Sequence, residues 1–172
     1  MKRIGVISDT HGLVRPEVPA AFDGVELILH AGDIGNAEVI RQLKTIAPVV
    51  AIRGNNDTGS WARAIPETKV ARIGRVSIYM LHNLKEIDLD PSAEGFQVVI
   101  SGHSHRPSIE TRSGVLFVNP GSAGPRRFKL PITVALLTVD GPVVNGEIIA
   151  ITAPGPAREG LNSLPAPPSH RY

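Results

Sequence analysis

Residues 96–105 read "FQVVISGHSH", an apolar run that ends in Ser101-Gly102-His103-Ser104-His105. Two histidines one residue apart fall on the same side of an extended chain. Either they are packing or surface residues, or they are two arms of a metal site whose other ligands lie elsewhere. The residues just beyond the other apolar runs decide between the two.

Short β-branched runs recur along the 172 residues: 3–8 (RIGVIS), 25–30 (VELILH), 49–54 (VVAIRG), 76–81 (VSIYML), 97–101 (QVVIS) and 115–119 (VLFVN). Their near-continuous hydrophobicity, without alternation, marks strands buried on both faces of a sheet. Between them, 36–47 (NAEVIRQLKTIA) carries Val39, Ile40, Leu43, Ile46 and Ala47 at helical spacing, with Asn36 as N-cap and Pro48 beyond the end. Residues 15–22 suggest a shorter helix opened by Pro16. Residues 131–141 and 146–152 read as late strands of a hairpin. The pattern is α/β, a layered sheet sandwich flanked by helices. It covers residues 1–152 as one domain, and 153–172, rich in Pro, Ala, Gly and Ser without periodicity, reads as a flexible tail.

Composition narrows the chemistry. There is no cysteine, so any metal must be held by His, Asp, Glu or Asn. Net charge is +2 and no Lys/Arg run exceeds two residues, so there is no strong nucleic-acid footprint. No stretch is long and apolar enough for a signal peptide or a membrane span, and the expectation is a cytoplasmic protein.

Groups that can coordinate a metal stand just after each apolar run. Asp9 and His11 come after the first, Asp33 after the second, Asn55, Asn56 and Asp57 after the third, His82 and Asn83 after the fourth, and His103 and His105 after the fifth. Intervals of 24, 22, 27 and 21 residues separate Asp9, Asp33, Asn55, His82 and His103, each about one strand–crossover–strand unit. Ligand sites of open α/β sheets form outside the carboxyl ends of the strands, so these groups can converge on one edge. Singly, each has a plainer reading: Asp9 as a turn residue, Asp33 as a helix cap, Asn55 as part of a turn, His82 as a half-buried structural residue. Placement at five successive strand ends favours a site. The donors Asp9, His11, Asp33, Asn55, His82, His103 and His105 suit two hard divalent ions, an arrangement that hydrolyses phosphate esters without a protein nucleophile. The glycines before Asp33, Asn55 and His103 suit sharp turns. His30 reads as a core or supporting residue.

In this order and spacing, "DTH", "GD", "GNND", "LHN" and "GHSH" resemble the calcineurin-like metallophosphoesterases. "SDTHG", "ILHAGDI", "IRGNND", "SGHSHRP" and "VNPGSAGPR" resemble their small single-domain phosphodiesterase subgroup in bacteria and archaea. The resemblance spans residues 1–150. It implies a four-layer α/β/β/α sandwich of two mixed sheets and hydrolysis of a small phosphodiester by a metal-activated water. It also implies one ion on Asp9, His11, Asp33 and His105, and a second on Asp33, Asn55, His82 and His103, with Asp33 bridging. Manganese is the usual activator, with nickel, iron, zinc or cobalt also used, and some relatives form homo-oligomers. A catalytically silent protein-binding scaffold, as this fold serves in the eukaryotic retromer coat, and a phosphomonoesterase are the alternatives. Seven filled ligand positions argue against the scaffold.

Three positions depart from the family pattern. Asn56 stands where many members have a histidine; it can contact phosphate but cannot act as a general acid, which leaves Asp57 or a water to supply the proton. Asn83 stands where a glycine is usual, and since Asn tolerates φ > 0 the turn is expected to survive, with Asn83 facing the substrate. Leu84 replaces another histidine. Residues 119–126 (NPGSAGPR) read first as a structural turn; if that loop covers the site, Arg126, with Arg127 beside it, is the nearest cation for a phosphate.

Overall fold

The computed structural model describes residues 1–151, so the expected tail, 153–172, lies outside the described residues. Among the described residues, ten strands form two mixed five-stranded sheets. In the first, β1 (Lys2–Ile7), β2 (Leu27–Ala31) and β3 (Val49–Ile52) run parallel, and the hairpin of β9 (Thr133–Asp140) and β10 (Val143–Ala150) adds antiparallel to β1. In the second, β5 (Val76–Leu81), β6 (Val98–Ile100) and β8 (Val115–Asn119) run parallel, flanked by β4 (Thr68–Ile73) and β7 (Ser108–Arg112) as antiparallel edges. The α/β class and the sandwich of two mixed sheets are as expected.

Alternation within each strand explains the unbroken apolar runs. Ile4, Val6, Leu29 and Ala31 of the first sheet meet Ile78, Met80, Val98 and Ile100 of the second in one core. The other faces of β1 and β2 present Ile7 and Ile28 to Phe22, Val39 and Leu43. Those last two belong to α2 (Ala37–Lys44), whose N-cap Asn36 accepts from Val39 N. The outer face of the second sheet, with Tyr79, Leu81, Val99 and Val115, is covered by Leu84, Ile87, Leu89 and Phe96. Among the described residues that outer layer is a 3-10 turn, Leu84–Glu86, followed by a loop, with no α-helix. Leu84, Ile87 and Leu89 bring enough apolar area to cover the face, and Pro91 and Gly95 act against a regular helix there.

Four elements differ from expectation. β4 and β7 carry no apolar signal because they are sheet edges: only Ala71 and Ile73 of β4 are buried, and in β7 only Ile109 is even partly so. The helix expected at 15–22 shrinks to α1 (Val18–Ala21), with Pro19 in its first turn. β10 starts at Val143 rather than near residue 146, because the hairpin turn is tight, at Gly141 and Pro142. No helix among the described residues is long and apolar enough to cross a membrane.

Gly5 sits in β1 under Phe22, where an added Cβ would lie 2.9 Å from the ring. Both residues are in the fully packed layer between sheet and helix, where overpacking costs about 1–3 kcal/mol. Gly5→Val should therefore destabilise the protein by that amount in urea denaturation, whereas Val143→Ala, at an exposed position, should leave the midpoint nearly unchanged.

Candidate metal centre

The loops after β1 and β2 are laced together by backbone bonds: Asp9 N donates to Gly32 O, His11 N to Asp33 O, and Gly12 N to Ile34 O, at 2.8–3.0 Å. Asp9, His11, Asp33, His103 and His105 all have φ between 45° and 67°. Such left-handed conformations cost of order 1–3 kcal/mol each outside glycine, and they persist only where surrounding structure enforces them. Five of the expected ligand residues share this strain. The left-handed bend thus falls on the ligands themselves. Gly54 and Gly102, expected as turn formers, serve close approach instead. A Cβ at Gly54 would overlap Asp33 Oδ1, and one at Gly102 would overlap Ser8 Oγ and press on Asp9 Oδ2 at 2.7 Å.

Asp9 is fully buried, and its two oxygens have different fates. Oδ2 accepts from Ser8 Oγ (2.6 Å) and from His103 N (3.1 Å). Oδ1 has no hydrogen-bond partner and faces His105 Nε2 at 3.2 Å, with His11 Nε2 and His82 Nε2 both at 3.9 Å. His11 Nε2 and His82 Nε2 are likewise buried without partners. Asp33 Oδ2 lies between the same two histidines, 3.8 Å from His11 and 3.4 Å from His82. A buried polar atom left unsatisfied costs about 1–3 kcal/mol, and more when charged. Three such atoms converging on one space, two nitrogen donors and one carboxylate oxygen, fit a cation.

The ligand atoms form two sets, each within 4.8 Å: Asp9, His11 and His105, and Asp9, Asp33 and His82. They share Asp9, and Asp33 spans them through Oδ2, so both carboxylates lie between the two groups of histidines. His82 Nδ1 is 2.7 Å from Ala31 O, a contact that makes Nδ1 the donor and turns Nε2 to the site as an acceptor. Asn55 and His103 stand at the exposed lip, joined through Oδ1 and Nδ1 at 3.2 Å, with the His103 ring edge-on to His82. All seven expected ligands are thus brought to one edge of the sandwich.

Electrostatics favour an ionised Asp33 and a neutral His11, while His82 is drawn the other way. Burial alone would raise Asp33, but contacts from His82 and Asn56 hold its carboxyl well below the usual range. Burial lowers His11 against the pull of Asp33 and Asp9, and the positive charge of Arg127 lowers it further. Burial also acts to lower His82, but Asp33 and Ala31 O outweigh it and raise the group.

The remaining expectations fare unevenly. Asp57 is no proton donor. It is 5% exposed, and its carboxylate accepts from Ile34 N, Gly35 N and Gly54 N at 2.8–3.0 Å, so it ties the Asp33 loop to the Asn55 loop. Asn56 donates to both oxygens of Asp33, from N at 3.0 Å and from Nδ2 at 2.8 Å. Asn83 has φ −104°, so its turn uses no left-handed residue; its side chain accepts from Lys85 N and donates to Glu86, capping the 3-10 turn. Residues 119–124 are structural, as first read: Asn119 Nδ2 donates to Gly102 O, and Ser122 Oγ to Asp9 O. Arg126 is exposed, and it is its neighbour Arg127 whose charge reaches His11. Ser8 joins the site without any sequence signal, because a serine before an aspartate carries no pattern of its own. Two clefts, of about 580 and 600 Å³, flank the lip and share Asn83 and His103. The first is lined by Leu84, Lys85, Arg112 and Phe117, the second by Arg53, Glu67, Tyr79 and Asp88.

Known proteins resemble this chain in sequence and in fold. Residues 1–141 match the model of the calcineurin-like phosphoesterase superfamily domain. The chain belongs to that superfamily. It is 36% identical over 166 residues to the "Probable metallophosphoesterase" of Methanothermobacter thermautotrophicus, covering 88% of this chain and 94% of that protein. It is 28% identical over 138 residues to a phosphodiesterase of Methanocaldococcus jannaschii, covering 69% of this chain and 82% of that protein. Among solved structures, wild-type Vps29 of Entamoeba histolytica complexed with zinc superposes with a TM-score of 0.67 at 23% identity, over 86% of this chain and 98% of that one. That last likeness is one of fold.

His30 supports the site from beneath. Fully buried, its Nδ1 accepts from Gly32 N (3.2 Å) and its Nε2 contacts Thr10 Oγ1 (2.9 Å), whose hydroxyl donates to Ile34 O. Burial pushes its pKa down from 6.5 to about 4, so the folded protein keeps it neutral where the unfolded chain protonates it. Its contribution to stability is therefore complete above pH ~6.5 and is lost as pH falls towards ~4, an effect of about 2–3 kcal/mol. Urea denaturation of metal-stripped protein should show that loss between pH 7 and 4.5. His30→Gln, which does not titrate, should show a shallower decline; equal slopes would contradict a His30 held neutral.

Proposed function

We propose that the chain is a binuclear metal-dependent phosphodiesterase. The observation that carries this reading is the pair of ligand sets sharing Asp9, with three buried, partnerless donor atoms turned into one space. Asp9, His11, Asp33 and His105 would hold one ion, and Asp33, Asn55, His82 and His103 the other, with manganese the first choice ahead of nickel, iron, zinc or cobalt. Divalent ions held there would supply a hydroxide-like nucleophile from water near neutral pH and would offset charge on the phosphorus oxygens.

The chain's own residues then determine what can be cleaved. Asn56 holds Asp33 in place through two hydrogen bonds, and its Nδ2 carries a second hydrogen that can donate to a phosphate oxygen at the rim. It cannot protonate a leaving group. Asp57 cannot either, since its carboxylate is committed to three backbone N–H groups. The chemistry should therefore favour esters whose leaving groups depart as stable anions. A diester carries two substituents, and the two clefts on either side of Asn83 and His103 give room for an arm beyond the phosphate. The curated phosphodiesterase relative points the same way.

The test is hydrolysis of bis(p-nitrophenyl) phosphate by metal-stripped protein reloaded with manganese, nickel, zinc or magnesium. Turnover should depend on metal and exceed that of p-nitrophenyl phosphate. Asp33→Ala and His103→Ala should each lower kcat/KM by roughly tenfold to a hundredfold or more. Faster cleavage of the monoester would assign the site to phosphomonoesters instead.

A further inference from the structure

The loop 125–131 holds an arrangement that the hydrolytic site does not use. Phe128 is 93% exposed, more than any other large hydrophobic side chain among the described residues, and it has φ +53°. A bulky residue in the left-handed region is a strained one, and such outliers concentrate where a surface is shaped for a ligand. Its neighbours in the chain are Arg126, Arg127 and Lys129, and with Arg106, Lys129 and Leu130 it lines an open hollow of about 610 Å³.

The segment that leads directly into this loop, residues 122–124, is tied to the metal centre. Ala123 N donates to Ser8 O and Ser122 Oγ to Asp9 O, at 3.1 and 3.0 Å. Gly124 packs so closely on Thr10 O that a Cβ there would lie 2.5 Å away, and its carbonyl accepts both Nε and Nη2 of Arg15. Arg106 directly follows His105 in the chain, and Arg127 is near enough to act on His11. An exposed aromatic face, ringed by cations that adjoin a phosphate site, fits a ligand that is both anionic and flat.

We propose that Phe128 stacks on a nucleobase, so that one arm of the diester is a nucleotide whose phosphate lies at the metal centre and is steadied by Arg127. Stacking suits any base, because every base presents a π-face, and the surrounding arginines add charge without reading sequence. The site therefore discriminates nucleotides from other phosphate esters and does not select among bases. The inference rests on the phosphodiesterase reading for its chemistry, but base recognition is measurable without turnover.

The experiment is calorimetric titration of the full, manganese-loaded chain with adenosine 5′-monophosphate and with ribose 5-phosphate, which lacks only the base. The monophosphate should bind about tenfold more tightly. Phe128→Ala should erase that ratio and Phe128→Trp should keep it, while Arg127→Ala should weaken both ligands alike. Equal affinities in the unaltered protein, or equal weakening of both ligands by Phe128→Ala, would overturn the proposal. So would equal affinities accompanied by a fall in sedimenting mass in Phe128→Ala, which would make Phe128 a contact between copies of the chain. A base preference without hydrolysis of bis(p-nitrophenyl) phosphate would instead overturn the esterase reading and leave the nucleotide site standing.

Discussion

The divided carboxylate of Asp9 governs the rest of the site. Ser8 Oγ and His103 N hold Oδ2, and this leaves Oδ1 with nothing but imidazole nitrogens around it. The second restraint is far from local. The His103 amide arrives from a loop 94 residues away, and it comes that close only because Gly102 has no Cβ to meet Ser8. One interaction thus locks the first sheet to the second at their shared edge and aims a buried negative charge at the donors. Isolated, that charge would be costly in a dry interior; facing a divalent cation, it would be compensated.

A supporting layer fixes what Asp9 leaves loose. Asp57 binds three backbone N–H groups across two loops, His30 and Thr10 join the loops after β1 and β2, and Asn119 holds the loop that carries His103 and His105. The left-handed ligand residues are sustained by these bonds. The same design has a chemical consequence. Groups that look available for proton transfer in the sequence are engaged in holding ligands and loops, so on the proposed phosphodiesterase reading the site would supply position and charge and leave departure to the leaving group.

Much of this architecture is legible in the amino-acid sequence. Runs that are apolar throughout have to be buried on both faces, and coordinating residues after five of them have to meet at one edge; both inferences rest on periodicity and chain direction. β4 and β7 are invisible there because edge strands bury almost nothing, and a polar strand has no period to read. Asp57 misleads for a related reason: a carboxylate beside ligands looks catalytic until its backbone partners are known. Asn83 shows the limit of propensity, since tolerating φ > 0 is no guarantee of adopting it when a capping role competes. Arg127 rather than Arg126 acts on His11 because the reach of a side chain depends on the path of its loop, which spacing does not reveal.

The central claim is that Asp33, whose Oδ2 lies between His11 and His82, is common to two cation sites. Equilibrium dialysis against manganese followed by elemental analysis tests it directly, with unaltered protein, Asp33→Ala and His103→Ala each shown to be folded by circular dichroism. The account predicts two ions per chain in the unaltered protein, one in His103→Ala and neither retained in Asp33→Ala. A single ion in the unaltered protein, or two surviving the loss of Asp33, would contradict it.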